Sequence, residues 1–312
     1  MKAHRWLKYV FQLYILLIFT GHRLYGQDLD PRAYVRLPVG TTSLVSGFVY
    51  SYGDIVIDPS LSIKNVDANV ESFSLGVLRA FNLAGLSAQA LVALPYSFAE
   101  VSGDVNEQAQ RVTRSGFADT RLRLSVLFKG APAATVMQMR QSNTPKTILG
   151  ASLNIVAPTG QFFSDKLINI GTHRWSFRPE LALSKPIGKK WLADVYAGLW
   201  LFTNNKTFYP GTSLRTQAPM GSFQGHISYN IKPTLWVAFN TTYYVGGTSS
   251  LDGVPNEDQQ SNVRIGWTAV FPTGKMSSIK LAGSTGAIVR IGQDFTTLSV
   301  AWQKAWFARP KK

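Results

Sequence analysis

The sequence predicts an all-β chain: a transmembrane, antiparallel, up-and-down β-barrel of about 12 strands, with long outer loops and mostly short periplasmic turns. Three observations point there. Hydrophobicity repeats every second residue, connections alternate long and short, and the composition is poor in charge but rich in aromatic rings. Charged residues make up 16% and aromatics 12% of the chain, where a soluble domain carries about 25% charge. A surface that needs few charges and many rings suits acyl chains.

The period of two is clearest late in the chain. Val263, Ile265, Trp267, Ala269 and Phe271 alternate with Asn262, Arg264, Gly266 and Thr268. Phe223, Ile227 and Tyr229 face away from Ser222, Gln224, His226 and Ser228. A bilayer-crossing strand takes about 9–11 residues with one apolar and one polar row. That template selects 43–52, 70–81, 85–98, 117–128, 147–157, 174–184, 191–202, 222–231, 234–245, 262–271, 278–290 and 296–307. The number is even, as single-chain bacterial barrels require. The even-numbered connections 82–84, 185–190, 232–233 and 272–277 are short turns, while the odd-numbered 53–69, 99–116, 158–173, 203–221 and 246–261 are long and polar. The fourth connection, 129–146, is long where a short turn is expected. A secreted β-sandwich would also show alternating strands, but its loops have no reason to alternate in length.

The first 26 residues differ from the rest. Lys2, Arg5 and Lys8 precede an apolar stretch from Tyr9 to Phe19, and Gly26 offers a small residue before Gln27. This is the pattern of a secretory signal, too short for the 18 or so apolar residues of a membrane helix. The domain reading is therefore 1–26 signal peptide and 27–312 barrel, placed in the outer membrane of a Gram-negative bacterium. Cysteine is absent, which removes disulfides, thiol catalysis and thiolate metal sites. The net charge of +15 would suit nucleic acid in another compartment; an exported chain instead meets lipid, lipopolysaccharide, the barrel-assembly machinery and small-molecule solutes. The last strand ends on Trp306–Phe307, an aromatic end of the kind that machinery reads, and Tyr50, Tyr52, Tyr96, Trp191, Tyr243 and Trp306 suit the interfacial girdles.

Charge pointing into lipid at mid-depth costs about 2–4 kcal/mol per Arg or Lys, so strand charges face the lumen. These are Arg121, Arg123, Arg174, Arg178, Arg264, Lys280 and Arg290, with Glu180 and Asp194 as acidic partners. An open lumen of this kind favours anions; a plugged one would lock Arg178 and Glu180 into ion pairs. Tyr196, Trp200 and Trp236 share rows with polar residues and are candidates either for contacting a flat solute or for lumen packing.

The stretches Ser115-Gly-Phe-Ala-Asp-Thr-Arg-Leu-Arg-Leu124 and Asp165-Lys-Leu-Ile-Asn-Ile-Gly-Thr-His-Arg-Trp-Ser-Phe-Arg-Pro-Glu180, with the opening Gln27-Asp-Leu-Asp-Pro-Arg-Ala-Tyr34 and the run Tyr196-Ala-Gly-Leu-Trp200, resemble an outer-membrane transporter family labelled "MetA-pathway of phenol degradation". The resemblance spans essentially the whole mature chain. It implies a transporter-like barrel that passes small aromatic or hydrophobic compounds, and it brings no catalytic residues.

No HExxH, GxSxG, Walker loop or GxGxxG occurs, and no His or carboxylate cluster has metal-ligand spacing. No cofactor is expected. His226 and Ser228 could mimic a barrel lipase, but both fall in the polar, lumen-facing row. The leading expectation is a porin-like barrel for passive passage of small solutes, aromatic or anionic. The alternative is a closed structural or adhesive barrel acting through its outer loops, with a barrel lipase third.

Overall fold

Every backbone N–H and C=O in contact with acyl chains must find its partner in the protein, so a sheet can cross a bilayer only if it closes on itself. The computed structural model describes residues 29–54, 63–105, 108–141, 146–290 and 294–307, and it shows that closure. The expected leader, 1–26, and the tail, 308–312, lie outside the described residues.

The chain runs β1 (Thr41–Asp54), β2 (Ile63–Leu83), β3 (Leu86–Val105), β4 (Gln108–Phe117), β5 (Thr120–Pro132), a short helix α1 (Val136–Gln141), β6 (Ile148–Ala157), β7 (Ser176–Ile187) and β8 (Trp191–Phe202). It continues through β9 (Asn205–Phe208), β10 (Ser213–Gln217), β11 (Met220–Lys232), β12 (Leu235–Gly246), β13 (Ser249–Leu251), β14 (Val254–Pro255), β15 (Gln260–Gly274), β16 (Ser277–Ile288) and β17 (Asp294–Phe307). Neighbours in sequence pair antiparallel around the wall, and β1 closes it against β17 from Thr41↔Phe307 to Asp54↔Asp294. β4 and β5 run in the same direction and share one partner, β3: Tyr96–Val105 pairs with β4 and Leu86–Ala93 with β5. They form one strand interrupted at Ala118–Asp119, where the Ala118 N–H still reaches the Pro95 carbonyl at 2.9 Å. The barrel wall therefore has 12 strands.

Alternation orients every strand. On β7, Ser176, Arg178, Glu180, Ala182 and Ser184 are buried, while Leu181 (63% exposed) and Leu183 face out. On β11, Ser222, Gln224, His226 and Ser228 are buried and Phe223 and Ile227 exposed. Phe73, Leu75, Val77, Val92, Leu94, Val195, Phe239 and Trp302 continue the exposed apolar exterior. Trp191 and Trp306 lie at the end of the barrel with the short turns, the inner end, and Tyr243 near the outer end.

Turn chemistry follows the strands. Between β2 and β3 the two-residue turn Ala84–Gly85 has positive φ at both positions, 48° and 86°, which matches the twist of the flanking strands; Asn82 Oδ1 accepts the Gly85 N–H at 2.7 Å.

Several connections differ from expectation. The region 99–116 is not a loop: β3 and β4 continue as a long hairpin beyond the wall, with Arg111 and Glu100 paired at 2.5 Å. One face is polar, with Glu100, Ser102, Arg111 and Thr113, and on the other Val101 is buried between Ala99 and Gly103, a row too sparse for a template of continuous apolar positions. The fourth connection contains α1, opened by Thr135 and Gln138 in a reciprocal capping box: the Thr135 N–H donates to Gln138 Oε1 at 2.8 Å, and the Gln138 N–H to Thr135 Oγ1 at 3.4 Å. The outer regions 203–219 and 247–259 hold β9, β10, β13 and β14, a separate four-stranded sheet of order β14-β13-β10-β9. Asp252 accepts the Leu214 N–H at 2.7 Å and Asp258 the Ser249 N–H at 2.8 Å, so these carboxylates knit the sheet rather than simply facing solvent.

Replacing Leu181 by Arg places a charge on the exterior at mid-strand. The expected cost is about 2–4 kcal/mol, less towards the interfaces, read from reversible denaturant unfolding in lipid vesicles; an unchanged midpoint would contradict a lipid-facing exterior.

Candidate functional site: the barrel lumen

The inward rows leave a polar lumen, and its inner part is filled by the chain's own residues 29–40. This segment folds back from the start of β1 and touches nearly every side of the wall. The Val39 N–H reaches Ala134 O at 2.8 Å, tying it to the connection that carries α1. Gln89 Nε2 donates to Val35 O at 2.8 Å, the Ala33 N–H to the Tyr196 hydroxyl at 3.3 Å, and the Arg32 N–H to Asp194 Oδ2 at 3.3 Å. Asp30 pairs with Lys280 at 2.5 Å and Arg123 at 3.9 Å.

Tyr34, 1% exposed, is the anchor. Its hydroxyl donates to Glu180 Oε1 and meets Ser152 Oγ, both at 2.8 Å. Its ring sits edge-on to Tyr196, centroids 5.0 Å apart, and packs with Leu127 and Ala131. The wall is thinned to receive the segment: a Cβ on Gly150 would come within 2.7 Å of the Tyr34 ring, and one on Gly266 within 2.6 Å of Leu29.

Glu180 is the hub. Besides Tyr34 it accepts Gln224 Nε2 at 3.3 Å and lies 3.4 Å from Arg123 Nη2 and 3.6 Å from Arg178 Nε. A buried carboxylate is tolerated when charge and hydrogen bonds surround it this way, and removing one partner of such a pair is strongly destabilising.

Towards the outer end from this hub lies a cavity of about 180 Å³. Arg121, Arg123, Arg178, Glu180, Tyr196 and Trp200 line it, with Asp30 on its floor and Leu91, Ala93 and Val156 of the inward rows adding apolar surface. An apolar cavity of about 150 Å³ holds benzene in another protein, so this space is that of a single aromatic ring. The Arg178 guanidinium covers the Trp200 ring at 4.8 Å and Arg123 the Tyr34 ring at 4.9 Å, cation–π contacts that hold the side chains in place.

The structure thus gathers Arg121, Arg123, Arg178, Glu180, Tyr196 and Trp200 at one cavity. The other candidates lie elsewhere. Lys280 and Asp194 hold the N-terminal segment, and the Ser184 hydroxyl also donates to Asp194. Trp236 lies under the Arg32 guanidinium at 4.2 Å and so packs the segment, outside the cavity. Arg264 is buried in the lumen row of β15, opposite Thr242. Arg174 stands just before β7 rather than in it, at the outer mouth. Arg290 corrects the expected strand 278–290: β16 ends at Ile288, and Arg290 is exposed beyond it, its N–H donating to Asn262 Oδ1 at 2.9 Å. His226 and Ser228 are buried in the lumen row, and His226 Nδ1 meets Asn240 Oδ1 at 3.0 Å.

One organising residue escaped the sequence reading. Asp119, at the β4–β5 break, is 5% exposed. Its Oδ1 accepts the Gly160 N–H at 2.9 Å, and its Oδ2 accepts the Thr172 N–H at 2.9 Å and hydroxyl at 2.6 Å. It clasps both ends of the β6–β7 loop, whose backbones touch at Gly160 and Gly171, where either Cβ would collide within 2.9 Å. The loop folds inward, and Ile168 packs on Val66, Ala68 and Val101. Asp119 lies inside the quoted Ser115–Leu124 motif, but nothing along the chain says what an isolated Asp at a strand break will grip.

Two outcomes follow. Tyr34→Phe removes the donor to Glu180, worth about 1–3 kcal/mol in a buried site; the Ala33 amide should exchange hydrogen about tenfold faster or more, and equal protection would sink the anchor assignment. Asp119→Asn leaves an NH₂ facing N–H donors, so the loop around 160–172 should become protease-sensitive in the folded barrel.

Comparison with known proteins places these features in a group. The family model described as "Putative MetA-pathway of phenol degradation" matches residues 64–295. No curated protein matches the sequence. Among solved structures, an outer membrane channel from Pseudomonas putida F1 is similar, with TM-score 0.76 and 21% identity over 89% of this chain and 100% of that one. The toluene transporter TodX of P. putida (TM-score 0.46, 11% identity, 88% and 92% covered) and the β domain of the Bordetella autotransporter BrkA (0.47, 10%, 86% and 100%) are more distant, and such likeness carries no argument. The fold is thus that of outer-membrane barrels, and by the family match across most of its length this chain belongs to the family described as "Putative MetA-pathway of phenol degradation".

Proposed function

We propose that this chain is an outer-membrane channel for small solutes that carry an aromatic ring and a negative charge, exported on the signal peptide 1–26. The observation that carries the reading is the 180 Å³ cavity, because it combines the volume of one ring with Arg121, Arg123 and Arg178 against Glu180 and Asp30. Apolar walls from Leu91, Ala93 and Val156 suit the ring, and a guanidinium recognises a carboxylate through two parallel hydrogen bonds. Passage is passive in this reading, which the polar lumen and its cavity support.

Purified protein in planar bilayers should conduct with preference for anions, and Arg121→Glu should shift that preference towards cations. Deleting 29–38 should raise the conductance by clearing the inner lumen. A wild-type preference for cations would refute the reading. The competing reading, a closed structural or adhesive barrel, draws on the same segment: bilayers that stay silent with both the full chain and the deletion would select it.

A further inference from the structure

We propose that Arg174 and Arg215 form a capture seat at the outer mouth, taking the carboxylate of an aromatic acid before it reaches the cavity. The seat itself stands on geometry, while the onward step rests on the channel reading above.

Arg174 continues the lumen row of Ser176, Arg178 and Glu180 outward past the start of β7. Its guanidinium lies 4.5 Å over Phe202. Phe202 in turn stacks on Trp200, planes 8° apart, the ring that Arg178 covers inside the cavity. Arg215 comes from β10 in the outer sheet and lies 4.9 Å over Phe208 of β9. Gln217, two residues on and therefore on the same face of β10, joins the two elements: it accepts Arg174 Nη2 at 2.5 Å and donates to Gly247 O at 2.8 Å. The lumen row and the outer sheet thus hold two guanidinium groups beside one another.

Like charges held together need a counter-ion, and among the described residues none is supplied. Neither arginine has a carboxylate of the described residues within the 4.0 Å of an ion pair. The acid that acts on Arg174 is Asp119, whose two oxygens are taken by Gly160 and Thr172. Arg174 Nη1 and Arg215 Nε are buried with no hydrogen-bond partner among the described residues. Burial, and then the charge of Arg215, push Arg174 down to about 10. A bound oxyanion would answer all of these at once, since it offers acceptors to both orphaned N–H groups and cancels the repulsion. In the cavity the demand is different, because Arg123 and Arg178 already share Glu180. A carboxylate is favoured over a lipopolysaccharide phosphate by direction: the row of Arg174 faces the lumen, whereas that lipid lies against the exterior.

The test is calorimetric titration of the full chain, folded in detergent micelles, with sodium benzoate, benzyl alcohol and inorganic phosphate. Losing charge-assisted bonds from both arginines should weaken benzoate about tenfold or more in the Arg174→Gln, Arg215→Gln double variant. Arg140→Gln on α1, far from the seat in the chain and exposed, should match wild type, and benzyl alcohol should not distinguish any of them. Should the double variant fail to fold, Arg215→Lys keeps the charge but loses the fork and should still weaken benzoate. The seat is overturned by benzoate binding that neither variant alters, or by phosphate binding that benzoate does not displace. Because binding is read without a membrane, a non-conducting barrel that loses benzoate in the variant would end the channel reading and keep the seat; an anion-selective barrel with unaltered binding would do the reverse.

Discussion

The whole molecule depends on one constraint: acyl chains offer the backbone no hydrogen bonds, so the β1–β17 seam must close the sheet. Once closed, every strand has two unlike environments one residue apart, and side-chain chemistry is sorted by parity alone. Leu181 and Leu183 go to lipid while Glu180 and Ser184 go to the lumen. The same sorting drives charge inward, because the exterior is where an arginine costs most.

Charges crowded into a narrow lumen then have to be matched. Glu180 answers Arg123 and Arg178 and takes the Tyr34 hydroxyl, so the acid that neutralises the wall also fastens the N-terminal segment. Lys280 is answered by Asp30, a residue of the segment itself. The fill is therefore polar and keyed at several points rather than greasy. Gly150 and Gly266 give it room by leaving the wall without side chains where Tyr34 and Leu29 press against it.

The outer half is organised from a different residue. Asp119 clasps the β6–β7 loop over the break between β4 and β5, and that loop carries Arg174 to the mouth. Arginine–aromatic pairs then recur down the lumen: Arg215 with Phe208, Arg174 with Phe202, Arg178 with Trp200, Arg123 with Tyr34 and Arg32 with Trp236. Each pair keeps a cation oriented without neutralising it, so guanidinium planes are fixed at several depths of the lumen.

All twelve wall strands could be read from the chain, because the lipid–lumen boundary imposes a period of two that composition cannot hide; 191–202 coincides with β8 residue for residue. The inward direction of Arg178, Glu180, Tyr196 and Trp200 follows from the same period and needs no contact information. Other features were decided by tertiary structure alone. Residues 29–40 have no repeat to betray them, and their place in the lumen is set by long-range bonds such as Tyr34 to Glu180 and Arg32 to Asp194. In the β3–β4 hairpin the burial of Val101 depends on Ile168, a residue far away in the chain. Asp119 and Gln217 matter through residues far away in sequence, Thr172 and Arg174. Periodicity reports the solvent on each side of a strand, and it is silent about which distant groups meet inside.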